Sequence, residues 1–392
     1  MTWEHASQPR GPQRWLWPAV AAVAVAGLVG AVVLSRADGS GTLTIGPTAQ
    51  PVASEPGMPS VDPSDFAPVP LDPLIADTEV PETGPRLPEA PDITLVVADE
   101  NELHAISLAT GDVRRSPLLA GNSPGLDPWM MFSVGDSLIV NAREDVVRLI
   151  GPDLRRVRLA RNHHALPTVD GNTVWVLSNQ DSDGSSTMVR VRLDGTVVDQ
   201  VTLPAVAQPT VGVGASMLVS RPSGIHAVSS DDVRRLTASG QLVAAGADRL
   251  AWSDCAPDLV CQIVIGTFDD PDQVRRPLAP DELPGGYFGH SFGRFSPDGR
   301  LLALPMFRPN SQRGLTQTGY AIIDTTTGAE LSRLATRRPR ELGNAALDWS
   351  PDSRLLFVAL GGVSVWNANT AESRELDVGV LRVNGLAVIG QN

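Results

Sequence analysis

The chain of 392 residues contains no lysine, so all 31 of its basic residues are Arg, and acids outnumber them to a formal charge of −13. Such a balance excludes a nucleic-acid backbone as partner, because phosphate binding needs a basic surface. A coding bias toward high G+C accounts for the all-Arg usage as well as a functional need does. Cysteine is nearly absent. Cys255 and Cys261, in "SDCAPDLVCQ", are the only two, too few for a structural zinc site, and no metal is expected. They flank a short Pro-Asp segment between two apolar runs, as at a hairpin end. That placement points to a disulfide, and so to an oxidising compartment. The sequence also offers no nucleophile elbow in the strand-to-helix setting that motif needs, no Gly-rich phosphate loop and no zinc-type His-Glu motif. No catalytic residue and no cofactor are assigned.

One long uncharged run is present. "WLWPAVAAVAVAGLVGAVVL", Trp15–Leu34, holds 20 residues, enough at about 1.5 Å each to span a hydrocarbon core of roughly 30 Å. Trp15 and Trp17 sit where interfacial aromatics belong, and Pro18 falls in the first turn. Arg10 and Arg14 precede the run, which favours a cytoplasmic tail at 1–14, a single membrane helix at 15–34 and an extracytoplasmic remainder at the plasma membrane. The rival is a cleaved signal peptide, with "SRA" before Asp38 as its cleavage site, although the run exceeds a normal signal core. No Cys follows the run, so a lipoprotein is excluded. Residues 1–14 are too few for a folded cytoplasmic domain.

Residues 35–92 are rich in Pro and acids, with Arg86 the only base after Asp38. A stretch this polar does not bury enough apolar surface to offset its ordering entropy. It reads as a disordered spacer, reaching from about 40 Å as a coil to about 170 Å if extended. A partner-binding Pro-rich motif is the alternative.

From 93 to 392 helical periodicity is missing. Short runs of Val, Ile and Leu alternate with turn clusters, the pattern of an all-β fold. The runs fall into groups of four: Met131–Arg161, Leu166–Leu203, Pro209–Ala238, Gln241–Ala279, then roughly 285–335 and 341–380. In several groups the fourth run carries an apolar-Arg-Arg pattern: Val113-Arg114-Arg115, Leu154-Arg155-Arg156, Val233-Arg234-Arg235 and Val274-Arg275-Arg276. Four strands repeating near forty residues read as propeller blades. Charge on an outermost strand deters edge pairing, and a basic binding rim is the second reading. "FSPDGRLLAL" and "WSPDSRLLFVAL" repeat because the blade repeats, each Ser-Pro-Asp joining an inner strand to its neighbour through a turn with Pro at i+1.

"FSPDGRLLAL…YAIIDTTTGAELSRL" and "WSPDSRLLFVAL…VSVWNANTAESREL" resemble WD-repeat blades. They resemble equally the propellers of the periplasmic Tol translocation protein and of prolyl-oligopeptidase-type proteins. The likeness is close for these two blades and architectural for the earlier ones. The WD dipeptide itself is absent, since Asn367 follows Trp366. The resemblance implies a propeller that binds a protein or ligand, and it fixes no chemistry. A quinoprotein propeller is excluded, because no regular Trp follows the "TG" turns. Seven blades fill 93–392, with six or eight as the alternatives. The first group lacks an inner strand and the run at 384–390 lacks followers. The C-terminal strand is therefore expected to complete the first blade and close the ring.

In an up-and-down blade the second-to-third-strand turns share one face with the connections between blades. The unusual segments 121–131, 161–167, 178–186, 281–293 and 307–319 all fall on that face, where binding residues gather on a rigid scaffold. The candidate ligand-binding residues are Trp129, His163, His164, Tyr287, Phe288, His290, Arg308 and Arg313. His163 and His164 read as solvated loop residues before they read as metal ligands. Asn179, Asp181, Asp183 and Gly184 imitate a calcium loop, but Arg190 stands where its closing Glu belongs. The sequence thus points to an envelope-anchored propeller that binds a protein, peptide or glycan as a scaffold or sensor. An extracytoplasmic propeller hydrolase is the alternative.

Overall fold

The computed structural model describes residues 62–390 apart from short internal stretches, the longest being 72–82 and 118–126. Seven antiparallel sheets follow one another in chain order, and no α-helix occurs among the described residues. The protein is an all-β, seven-bladed β-propeller. The expected membrane helix at 15–34 lies outside the described residues. Among those described, no helix is long and apolar enough to cross a membrane.

Blade 1 is built from both ends of the domain. Gly385–Gly390 pairs antiparallel with Ile93–Ala98, from Ile93↔Gly390 to Ala98↔Gly385, and Glu102–Ser107 and Val113–Pro117 complete the sheet. Blades 2 to 5 have inner strands at Asp127–Val134, His164–Leu166, Gln208–Val213 and Gln241–Ala245. In blade 6 two short segments, Leu283–Pro284 and Arg294–Phe295, share the inner edge of Leu301–Pro309. Blade 7 starts at Leu347–Trp349.

The apolar residues divide into seven clusters, and each lies between two neighbouring blades. Leu95, Val97, Phe357 and Val388 join blades 7 and 1. Val96, Leu138, Val140 and Ile389 join blades 1 and 2. The remaining clusters continue round to blades 6 and 7. A strand that packs on both faces needs apolar residues at successive positions, which is why Ile93–Ala98 is buried throughout. The core is a ring of interfaces, so a gap at any one of them exposes two.

The repeated Ser-Pro-Asp turns share one hydrogen-bond scheme. Buried Ser296 donates to Asp298 Oδ1 at 2.6 Å and accepts from Leu301 N at 3.0 Å. Ser350 donates to Asp352 Oδ1 at 2.6 Å and accepts from Leu355 N at 2.8 Å. The last turn residue is left-handed in both copies: Gly299 at φ 71° and Ser353 at φ 62°. Gly adopts this region freely, whereas Ser does so at a cost. Ser353 Oγ in turn accepts from Asp298 N at 3.0 Å, so the two copies are bonded to each other.

Two described parts of the expected spacer pack on the ring. Val69–Pro70 adds a fifth strand to blade 2, opposite Val157 and Arg158. Before it, Phe66 is fully buried among Phe132, Ile139, Leu159 and Val191, between blades 2 and 3. Thr83 bridges Asp112, and Leu87 and Ala90 enter the cluster between blades 7 and 1. Glu89 pairs with Arg374 of blade 7. Residues 62–71 and 83–90 therefore belong to the propeller rather than to a disordered linker. Single apolar side chains offset their ordering cost once the blades supply a groove.

His163, expected to be solvated, is 5% exposed and stacks on Phe66 with ring centroids 5.0 Å apart. Burial holds its pKa below the ordinary 6.5, and neighbouring His164 pushes the same way. Asp65, with Oδ2 4.0 Å from Nε2, and Asp145 oppose it. Because the folded value is depressed, this contribution to docking is full above about pH 6.5 and is lost as pH falls through the folded value. Phe66→Ala should cost about 3 kcal/mol and open the 62–71 strap to limited proteolysis while the ring stays folded. Acidification through the folded value should open the same strap in the native protein; digestion that stays identical from about pH 8 down to the acid limit of the folded ring would contradict the latch.

Candidate functional site

Successive connections of each meander alternate between the two ends of the ring. At one end the turns are closed by their own side chains. Asp194 accepts from Thr196 N at 2.9 Å, and Asp324 accepts from Thr326 N and Thr327 N at 2.9 and 2.8 Å. These backbone donors hold both carboxyls below the usual carboxylate range. Carboxylates there are used up in turn formation.

The other end carries the second-to-third-strand hairpins and the blade-to-blade connections, and blade 6 dominates it. Its strands Leu301–Pro309, Leu315–Asp324 and Glu330–Glu341 run 9, 10 and 12 residues, against 5, 5 and 4 for Leu355–Ala359, Val363–Asn367 and Ser373–Leu376 of blade 7. The hairpin is lengthened by strand, not by loop. Leu283–Pro284 pairs along the extension at Phe307 and Met306. Next to it Glu282, 6% exposed, is gripped by Arg333 and lies 3.4 Å from Arg308 Nη2. A buried carboxylate held by two guanidiniums fixes the extension to the blade. Arg333 also pairs with Glu330, and these carboxylates push its pKa up.

Between the outer parts of blades 6 and 7 a cleft of about 190 Å³ opens, lined by Arg333, Leu334, Leu360, Ser364, Ser373 and Arg374. Both of its arginines are committed, Arg333 to Glu330 and Glu282 and Arg374 to Glu89.

The disulfide Cys255–Cys261 staples the same end of blade 5, joining residues that face each other in register. It closes a short chain segment, so replacing both cysteines by Ser should cost about 2 kcal/mol. Thermal unfolding should read this as a lower midpoint in the oxidised protein and as no difference once the wild type is reduced.

At the inner edge of the ring stands Asp348, 5% exposed. Its Oδ2 accepts from Ser133 Oγ of blade 2 at 3.1 Å and from Val388 N of blade 1 at 2.9 Å. Its Oδ1 accepts from Trp349 N at 3.1 Å and lies 3.6 Å from Arg294 Nη1 of blade 6. One carboxylate thus ties four blades across the closure.

The candidates named from the sequence do not form one described cluster. Trp129 lies on the inner strand of blade 2, its side chain outside the described residues. Tyr287, Phe288, His290 and Arg313 also lie outside them. His163 is sealed under the strap, and His164 is exposed beside it, opposite Leu177. Arg308 stands half exposed on the blade 6 extension, where it braces Glu282. The sequence signal for Asp348 was a lone acid inside the apolar run "ALDWS". Glu282 carried no such mark.

The Arg pairs have partners. Buried Arg156 donates to Ser116 of blade 1 at 2.9 Å, and burial lowers its pKa to about 10, which leaves it cationic. Arg234 reaches Asp269 of blade 5 at 3.5 Å, and Arg276 pairs with Glu330 of blade 6. The motif therefore supplies struts between blades as well as charge on an edge.

Two pairs resemble catalytic dyads. His104 Nε2 lies 3.2 Å from Asp99, within a turn of blade 1. Ser223 Oγ lies 3.0 Å from His226 Nε2, on the hairpin of blade 4. Burial and then the charges of Arg221 and Arg235 lower the His226 pKa. A general base is normally supported by a carboxylate, so flanking cations make this imidazole a poor one. Among the described residues no group of three or more His, Cys, Asp or Glu is placed to hold a metal ion.

No family model and no curated protein sequence matches the chain. Solved structures with related folds include the β-propeller domain of the Trilobed protease from Pyrococcus furiosus, at TM-score 0.47 and 10% identity, covering 75% of this chain and 96% of that one. AztD from Citrobacter koseri gives TM-score 0.44 and 12% identity over 76% and 98% of the two chains. The Pan2 WD40 domain of Neurospora crassa gives 0.43 and 10% over 75% and 91%. Likeness at this level carries no argument about activity.

Proposed function

We propose that the chain is a membrane-anchored, extracytoplasmic binding or scaffold module that presents the hairpin end of its ring to a protein, peptide or glycan of the cell envelope. The observation that carries this reading is the difference between the two ends of the ring. One end is closed by short self-capped turns; the other bears the lengthened blade 6 hairpin, the disulfide and the long connections. Rigid scaffolds place variable recognition elements in that way. The disulfide supports an oxidising compartment, and the uncharged run Trp15–Leu34 supports an anchor.

The test is photo-crosslinking in native membranes from the full-length chain, with a crosslinking residue at position 312 or, as control, at Thr326 in the capped turn of the same blade. The binding reading expects a discrete adduct from 312 and none from 326. Equal labelling from both positions, or none from either, would sink it. Replacing 310–314 is preferable to replacing 161–167, because His163 and the inner strand of blade 3 fall in the latter.

A further inference from the structure

The hairpin end of blade 4 carries a group of cations that meet no counter-ion among the described residues. The strands Ser216–Arg221, Gly224–Val228 and Val233–Arg235 pair so that Val219 faces His226 and His226 faces Arg235. Side chains on one face of a sheet alternate with period two, so Arg221 shares the face of Val219, His226 and Arg235. Directly opposed residues stand about 5 Å apart at Cβ and diagonal ones about 7–8 Å. Arg221, His226 and Arg235 therefore form one compact group, to which the turn adds the exposed hydroxyl of Ser223, 3.0 Å from His226 Nε2.

What distinguishes this group is its wiring. Arg235 spends Nε on the carbonyl of Thr237 at 3.0 Å and Nη2 on that of Ala238 at 2.8 Å, which fixes the guanidinium and leaves Nη1. Arg221 has no hydrogen bond or ion pair with any described residue, and its Nε is buried. The other described Arg pairs of the outer strands reach acids or a hydroxyl, and in blade 4 Arg234, beside Arg235, reaches Asp269. Among the described residues the charges acting on His226 are those of Arg221 and Arg235, both cationic. Like charges held together in a folded protein repel unless an anion joins them.

We propose that Arg221, Arg235, Ser223 and His226 form a binding site for a phosphate or sulfate group, carried by a ligand of the hairpin end. Donors reach it from two strands, a turn and a third strand, and a tetrahedral oxyanion has enough acceptors for all of them. The assignment rests on the proposed binding reading and gives its ligand a chemistry.

The experiment is ligand-observed ³¹P line broadening of inorganic phosphate by the full-length protein in detergent, with Arg221→Gln and Arg221→Lys beside the wild type. Saturable broadening is expected, weakened at least about tenfold in Arg221→Gln and partly restored in Arg221→Lys, with unfolding midpoints unchanged. A second arm uses phosphatidylglycerol vesicles. Co-sedimentation lost in Arg221→Gln would mark a lipid headgroup as the source, and free phosphate binding without it a soluble ester. No saturable broadening, or broadening unchanged in Arg221→Gln, overturns the site. A partner still crosslinked from position 312 in that case would leave the binding reading standing.

Discussion

A chain ending at Asn384 should fail to fold as a cooperative unit. The deleted strand is the inner strand of blade 1, and its Leu386, Val388 and Ile389 are each 3% exposed. Their burial contributes roughly 5–9 kcal/mol, comparable with the whole stability of a typical domain, about 5–15 kcal/mol. The loss is not confined to blade 1. Val388 belongs to the cluster shared with blade 7 and Ile389 to the one shared with blade 2, so two interfaces open together. Ile93–Ala98 also becomes an unpaired apolar edge, which invites aggregation. Soluble expression and the sharpness of denaturant unfolding read the outcome. Adding the nonapeptide spanning 384–392 in trans should restore part of the soluble fraction. A truncated chain that unfolds with undiminished cooperativity would show that the ring closes elsewhere.

Asp348→Ala should be the most costly point substitution at the inner edge, by about 4 kcal/mol. It strands Val388 N, Ser133 Oγ and Trp349 N, all of which donate to that carboxylate, and takes the acid away from Arg294. Asp348→Asn keeps an acceptor for part of this set and should cost about half as much. The contrast matters more than either value. A purely packing role predicts almost no cost for Asp348→Asn, because Asn nearly matches Asp in volume, and leaves the whole cost to Asp348→Ala. Equilibrium unfolding in urea separates the cases, with hydrogen exchange at Val388 N as the local reporter. An Asp348→Asn midpoint equal to that of the wild type would remove the carboxylate from the closure.

Much of the ring is readable without coordinates because its signals are local. Ser-Pro-Asp turns recur at Ser296 and Ser350, and Gly299 takes a backbone conformation that Gly tolerates. The run at 384–390 is apolar and has no neighbour in sequence, while the run at 93–98 lacks an inner partner. Matching the two needs only a count of strands. Cys255 and Cys261 likewise sit at opposite ends of one hairpin.

What the sequence hides is contact between distant segments. Phe66 and Leu87 are isolated apolar residues in a stretch whose composition says spacer, and their grooves are built by blades 2 and 3 for Phe66 and by blades 7 and 1 for Leu87. His163 looks like a loop histidine until Phe66 covers it. Glu282 looks like a surface acid until Arg308 and Arg333 converge on it. The outer-strand Arg pairs announce charge, but only the angle between blades shows that Arg156 and Arg276 reach across. The candidate site was legible as a face rather than as a set of residues, since loops can be placed by alternation while side-chain convergence cannot.

Because Cys255 and Cys261 are the only thiols in the chain, they report its sidedness directly. The decisive measurement is alkylation of intact cells with a membrane-impermeant maleimide, with and without an impermeant reductant. An anchored, disulfide-stapled propeller outside the membrane predicts no labelling before reduction and labelling of both cysteines after it, without lysis. Cysteines that stay unlabelled in intact cells under either condition, yet react without reductant once the cells are lysed, would place the propeller inside and contradict the account.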